Sequence, residues 1–292
     1  MGFRNLSIES RCKCSYGGGY LVVTKSDSTA RVHFSEIASI VFSTTKVYVS
    51  AHLMAELARH EIPVVFCDEK SLPIAESLPL HGAYNSYAKV CTQLEWKLTV
   101  KKRVWQRIVR DKIAMQASVL RPRCHPDAAK VLDGYISDVK SGDSDNREAV
   151  AAGVYFPVLF GDGFNRDLDC PTNAALNYGY TIVLSKVARE VAASGYLTQV
   201  GIHHRSEVNP WNLACDLMEP FRPYVDKVVC GLDFVNLDTK VKHRLIDIMS
   251  DDVTYEDGKY KLASVVKYYV KDCLDVLETA RPVSEIRCYS IP

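Results

Sequence analysis

The chain has 292 residues, 47% of them hydrophobic, with 36 Lys and Arg against 35 Asp and Glu for a net charge of +1. That is enough apolar material for a sizeable core and two domains. No apolar run approaches the roughly 20 residues that a membrane helix needs, and the start MGFRNL has neither a signal-peptide apolar region nor, at Leu6, the hydroxyl that myristoylation wants. A soluble, cytoplasmic protein with no membrane contact is expected. The ten cysteines are scattered without paired CxxC knuckles and read as reduced thiols. Cys12 and Cys14 form a CxC that alternation along a strand explains better than zinc.

Residues 3 to 67 alternate in the manner of strands: FRNLSI, KCSY, YLVVTK, ARVHF, IASIVF and VYVS. A helix from Ala51 to Arg59 and a buried strand IPVVFC follow. The triplet Gly17-Gly18-Gly19 lacks the Lys-Ser/Thr of a phosphate loop and is expected to be a hairpin turn. From Asp68 to Gly82, Pro73, Pro79 and Gly82 are expected to break any regular element. The fold class is therefore α+β: a small N-terminal β-rich domain (1–75), a linker (76–84) and a larger all-α C-terminal domain (85–292). Within the latter, Leu94, Leu98, Trp105, Ile108 and Met115 form the buried stripe of a long helix. Tyr178 to Ser194 is a second amphipathic helix stopped by Gly195. A hairpin turning at Asp257-Gly258 precedes a last helix from Leu262 to Leu277.

Charge is unevenly placed. Between Lys97 and Arg123 nine basic residues stand against one acid, Asp111, a local charge of +8 that leaves −7 elsewhere. Lys101, Lys102, Arg103, Arg107 and Arg110 are the candidate phosphate contacts, because backbone binding is local and driven by counterion release. Tyr84, Tyr87, Trp96 and Trp105 offer stacking surfaces nearby, although periodicity puts Trp105 in the core. The plain alternative is a solvated helix face.

The candidate chemistry lies between Gly201 and Asp226, GIHHRSEVNPWNLACDLMEPFRPYVD. Asp216 and Glu219, three apart, share a face if the helix starts at Asn209-Pro210 and kinks near Pro220, but not if it starts at Pro220. His204 stands on the approach, and Glu148 leads the apolar run AVAAGVYFPVLF, where a charge needs a partner. These residues suggest a divalent-cation site. Asp145-x-x-Glu148 is equally a capping-box spacing, in which Glu148 bonds only its own helix start. Arg222 beside two acids is most simply an ion-pair partner.

Three blocks, REAVAA at Arg147 to Ala152, PTNAALNYGY at Pro171 to Tyr180, and GIHH with DLMEPFRP, occur in an order that resembles the CRISPR-associated spacer-acquisition integrases, the Cas one family. The Glu at 219 and the EPFRP continuation resemble the branch that accompanies Cas9-type (type II) systems. The resemblance implies metal ligands at Glu148, His204 and Glu219, which would be the catalytic residues. Asp216 is then either a ligand through water or the residue that orients His204, and His203 a donor behind the site or merely structural. Mixed oxygen and nitrogen ligands suit Mg²⁺ or Mn²⁺. The expected activity is transesterification, in which the 3′-OH ends of a short prespacer duplex attack the strands of a CRISPR repeat. The implied partners are double-stranded DNA, a second copy in a homodimer contacted through the β-rich domain, and a small Cas two dimer completing a heterohexamer. Type II members also work with the Cas9-type effector and a DNA-end-binding ring protein. A hydrolytic repair or trimming nuclease, or a non-catalytic DNA-binding scaffold, are the alternatives.

Overall fold

The computed structural model describes residues 4–69, 73–77, 85–123 and 125–291, so the expectations for Tyr84, Pro79 and Gly82 lie outside the described residues. The chain divides into two compact units, Met1–His81 and Gly82–Pro292. In the first, alternating apolar residues build two four-stranded sheets. One runs in the order β1 (Arg4–Ile8), β5 (Ile37–Phe42), β7 (Val64–Cys67) and β8 (Pro73–Ser77). The other runs β4 (Thr29–His33), β3 (Tyr20–Thr24), β2 (Cys12–Gly17) and β6 (Val47–Val49). The glycine triplet does turn a hairpin: Gly18 and Gly19 both have positive φ, which suits the two-residue connection of β2 to β3.

Helix α1 (Ala51–Arg59) starts where the Ser50 side chain accepts a hydrogen bond from the Leu53 amide. Leu53 and Leu57, one turn apart, join Cys12, Cys14, Leu21 and Ile40 in this unit's core. The CxC pair is thus two inward residues of β2. The expectation that nothing regular forms between 68 and 82 is corrected by β8, which pairs antiparallel with β7 from Pro73 onward. A proline is tolerated as the first residue of an edge strand, where its missing N–H costs no ladder bond.

The second unit is helical apart from one hairpin among the described residues: α2 (Ser86–Leu94), α3 (Leu98–Leu120), α4 (Pro126–Asp138), α5 (Arg147–Phe160), α6 (Pro171–Ala193), α7 (Asn212–Met218), α8 (Arg222–Cys230), α9 (Thr239–Asp247), the strands β9 (Asp252–Tyr255) and β10 (Gly258–Lys261), and α10 (Leu262–Thr279). Val104, Trp105, Ile108, Ile113 and Leu120 bury α3 from end to end, and α4, α5, α8 and α10 pack around it. The expected single stripe is interrupted, because the chain leaves the helix between Leu94 and Leu98 and both leucines end up exposed. Helix α6 begins seven residues before the expected Tyr178, at Pro171 in the N1 position. Gly195, at φ +85°, follows its end as expected. The hairpin turns on Glu256-Asp257, since Gly258 already pairs with Tyr255.

Candidate metal centre

Three elements bring two carboxylates to one point. Glu148 stands in the first turn of α5 and is not held by a capping box. Asp143 caps that helix from outside, its two oxygens accepting from the amides of Arg147 (2.8 Å) and Glu148 (3.1 Å), while Asp145 pairs with Lys140. The Glu148 side chain is thereby released toward α3, where its Oε1 accepts from Lys112 Nζ at 2.6 Å. Glu219 opens the short 3₁₀ turn Glu219–Phe221 between α7 and α8, and its Oε2 accepts from the same Nζ at 2.5 Å. Its other oxygen, Oε1, accepts from Arg222 Nε at 2.8 Å.

Burial opposes the charges of Glu219 and Lys112, and their pairing overcomes it. Glu219 is only 4% exposed. Burial raises its pKa, but the Arg222 and Lys112 cations outweigh this and hold the carboxyl well below its ordinary range. Burial likewise favours neutral Lys112, and the charges of Glu219 and Glu148 reverse that, lifting its pKa above the usual lysine value.

The approach to α7 wraps around Asp216. This fully buried carboxylate accepts from the amides of Ile202 (2.7 Å), His203 (3.1 Å) and His204 (3.1 Å), and its Oδ1 lies 2.6 Å from His204 Nδ1. A Cβ on Gly201 would meet the His204 carbonyl at 2.5 Å and Asp216 Oδ2 at 2.8 Å, so only glycine fits the start of this turn. The hydrogen bond to Asp216 raises the pKa of His204, against burial and with help from the charges of Glu219 and Glu148. The carboxylate engages Nδ1 and leaves Nε2 as the ring nitrogen that could serve as a ligand. Of the two sequence options for Asp216, the geometry is that of the orienting residue. His203 instead stacks flat on Trp105, ring centres 4.1 Å apart and planes 4° from parallel. Asn212 ties the same loop to the Gln199 and Ser206 carbonyls.

Helix α7 begins at Asn212, close to the expected Asn209-Pro210 start, and the bend falls at Glu219-Pro220. Arg222 stacks over Tyr180 with 4.6 Å to the ring centre, and the Tyr180 hydroxyl donates to buried Asp226. The PTNAALNYGY block serves packing. Asn173 donates to the Asn165 and Leu168 carbonyls, and Gly179 lets α8 approach, since a Cβ there would sit 2.5 Å from Val225.

The basic segment is not the uniform phosphate-facing surface its composition suggests. Arg107 Nε donates to both oxygens of buried Asp111 (2.8 and 2.9 Å), and Arg110 Nη2 donates to the Val139 carbonyl at 3.1 Å. Both therefore have internal partners. Arg121 pairs with Asp133, Arg123 holds the Lys227 carbonyl, and Lys112 belongs to the centre above. Lys102 and Arg103 are exposed. Lys101 is half-buried; burial and the neighbouring Arg205 charge lower its pKa against the pull of Asp216. Trp96 is no stacking surface, being buried against Tyr196, whereas Tyr87 is 84% exposed.

Sequence reasoning missed Lys112 and Asp143. Lys112 was one basic residue among nine, and only its place on the apolar side of α3, one turn after Ile108, marked it. Among the described residues no cluster of three or more His, Cys, Asp or Glu stands in ion-holding geometry; the point where Glu148 and Glu219 converge is filled by the Lys112 ammonium. Two convergent carboxylates and an imidazole fixed by a third still make a donor set suited to a hard divalent ion. A cation at their meeting point shows that positive charge is accommodated there.

A family model described as CRISPR associated protein Cas1 matches residues 8–151 and 164–238. The chain belongs to the Cas1 family. A protein of Neisseria meningitidis serogroup C named CRISPR-associated endonuclease Cas1 is 39% identical over 233 residues, 80% of this chain and 76% of that one. The Cas1 fold recurs in a chain of a Cas6-RT-Cas1–Cas2 complex, with TM-score 0.75 and 18% identity, covering 97% of this chain and 36% of that one. It recurs also in a casposase bound to integration product, with TM-score 0.73 and 17% identity, covering 96% and 92%. The type II branch inferred from the Glu219 motif is consistent with the Neisseria relative.

Proposed function

We propose that this protein is the metal-dependent DNA integrase of CRISPR adaptation, with Glu148, Glu219 and His204 as the ligands of Mg²⁺ or Mn²⁺. One observation carries this reading: two carboxylates, one from α5 and one from the turn between α7 and α8, meet at one cation, beside an imidazole that Asp216 orients, in a chain of the Cas1 family. When bound, such an ion would polarise the scissile phosphate and lower the pKa of the attacking hydroxyl. The protein's own residues do the rest. Glu148 and Glu219 supply oxygens, His204 supplies Nε2, Arg222 keeps Glu219 aimed, and Asp216 keeps the imidazole turned outward from Nδ1. Lys101 and Arg205 place positive charge beside the His204 turn, where a DNA backbone can be held.

In the reaction, a prespacer 3′-OH attacks a repeat phosphate, one P–O bond forms and one breaks, and the displaced repeat strand leaves with its own 3′-OH. The number of phosphodiesters is unchanged. Two such attacks at opposite ends of a repeat require two active sites held apart, which supports assembly as a homodimer bridged by a Cas2 dimer into a heterohexamer. The Cas1–Cas2 complex among the similar structures supports that partner. A Cas9-type effector and a DNA-end-binding ring protein are further proposed partners.

The endonuclease name of the Neisseria relative favours a second reading, in which water is the nucleophile and strands are cut without joining. A strand-transfer assay with labelled duplex ends and a repeat-bearing plasmid, with and without the Cas2 partner, separates the two. Joined products that vanish in Glu148→Ala, His204→Ala and Glu219→Ala are expected. Cleavage without joining would favour the nuclease, and joining by two of the three variants would remove the site assignment. The His203→Ala variant should join DNA at a rate far nearer that of the unaltered protein.

A further inference from the structure

Lys112 stands in the middle of α3 with its side chain 12% exposed, and its ammonium donates to Glu148 Oε1 and Glu219 Oε2 at 2.6 and 2.5 Å. The two carboxylates thus share one ammonium. Glu219 divides its oxygens between two cations of different character. Arg222 takes Oε1 through Nε, lies one turn away in sequence, and is clamped over the Tyr180 ring. Lys112 takes Oε2 through a single compact charge on a flexible four-carbon stem. The oxygens that Lys112 holds are ones that Glu148 and Glu219 would offer a divalent ion, whereas the Arg222 contact uses the other oxygen of Glu219.

We infer that Lys112 is a resident counter-cation that keeps Glu148 and Glu219 together while no divalent ion is bound and leaves them when one arrives. The inference rests on the proposed metal site. Two carboxylates facing each other in a largely buried place repel and must be neutralised, by an ammonium or by an ion. The two occupants cannot share the same pair of oxygens. Arg222 then acts as the fixed half of the device, preserving the aim of Glu219 while its companion changes. An apparent metal affinity set partly by an internal competitor follows directly.

The test uses the full-length protein with Mn²⁺ for binding and Mg²⁺ for labelling. In Lys112→Gln the ion-free protein should melt several degrees lower, and calorimetry should show Mn²⁺ binding about tenfold tighter, since a charge-assisted competitor has gone. In the unaltered protein, reductive methylation read by mass spectrometry should label Lys112 several-fold faster once Mg²⁺ is added. Unchanged or weaker Mn²⁺ binding in folded Lys112→Gln would overturn the inference. So would unchanged labelling of Lys112, which decides the matter if the variant does not fold. Glu148→Gln separates the two levels: if the unaltered protein binds Mn²⁺ and Glu148→Gln binds it no worse, the metal-site reading fails with everything built on it. If Glu148→Gln loses Mn²⁺ and Lys112→Gln behaves as the unaltered protein, only the role of Lys112 fails.

Discussion

Asp216 shows how much a single residue organises here. Its carboxylate accepts three amides and faces the His204 ring while wholly buried. Asp216→Ala would strand those donors, so a cost of about 3 kcal/mol or more is expected in urea unfolding, with loss of strand transfer. Gly201→Ala should also lose transfer, because the added methyl collides with the His204 carbonyl; retained activity would mean that the turn can relax. Asp226 supplies a pH prediction. Burial pushes its carboxyl up to about 6, against the hydroxyls of Tyr180 and Tyr155 that face it. The folded state therefore holds this proton more tightly than the unfolded chain does. Its contribution is fully present below the ordinary carboxylate pKa, and is lost as pH rises toward 6. Asp226→Asn cannot ionise, so its stability relative to the unaltered protein should improve by about 2 kcal/mol between pH 4 and pH 7. A difference that does not move with pH would show that Asp226 titrates normally.

At the scale of elements, α3 combines an internal face and an external one, and the two predict different phenotypes for chemically similar substitutions. Changing Lys101, Lys102 and Arg103 together to Gln should weaken duplex binding for all sequences alike. The slope of log affinity against log salt should become shallower by about 0.9 per lost phosphate contact. Arg107→Gln should instead destabilise the fold by about 3 kcal/mol, because among the described residues Asp111 would keep only Tyr269 as a hydrogen-bond partner. An unchanged salt slope in the triple variant would leave Lys102 and Arg103 as ordinary solvated residues. The contrast also shows where sequence reading of this element stopped. Periodicity identified Trp105, Ile108 and Met115 as buried, but a count of charges cannot tell which arginines turn inward, since that depends on Asp111, Val139 and Val283, up to 176 residues away in the chain.

For the whole molecule, the order of a β-rich unit before a helical one was legible because apolar period changes from two to nearly four near residue 85. Glu148, His204 and Glu219 could be picked out because their spacing and neighbours matched three sequence blocks. Lys112 was not, because its role arises only when α3, α5 and the α7–α8 joint converge. Strand β8 was hidden by a proline that reads as a break but is harmless at a strand's first position. No disulfide joins the nine described cysteines, so a reducing agent should leave melting temperature and activity unchanged, and a marked fall in either would reveal a covalent link. The tryptophans have a consequence of another kind. All three, Trp96, Trp105 and Trp211, lie in the helical unit, and none lies between Met1 and His81. Indole emission thus reads that unit alone, while circular dichroism in the far ultraviolet reads both. Because Trp105 lies face to face with His203 and edge-on to His204, the protein carries its own optical gauge beside the His203–His204 turn, visible without any label.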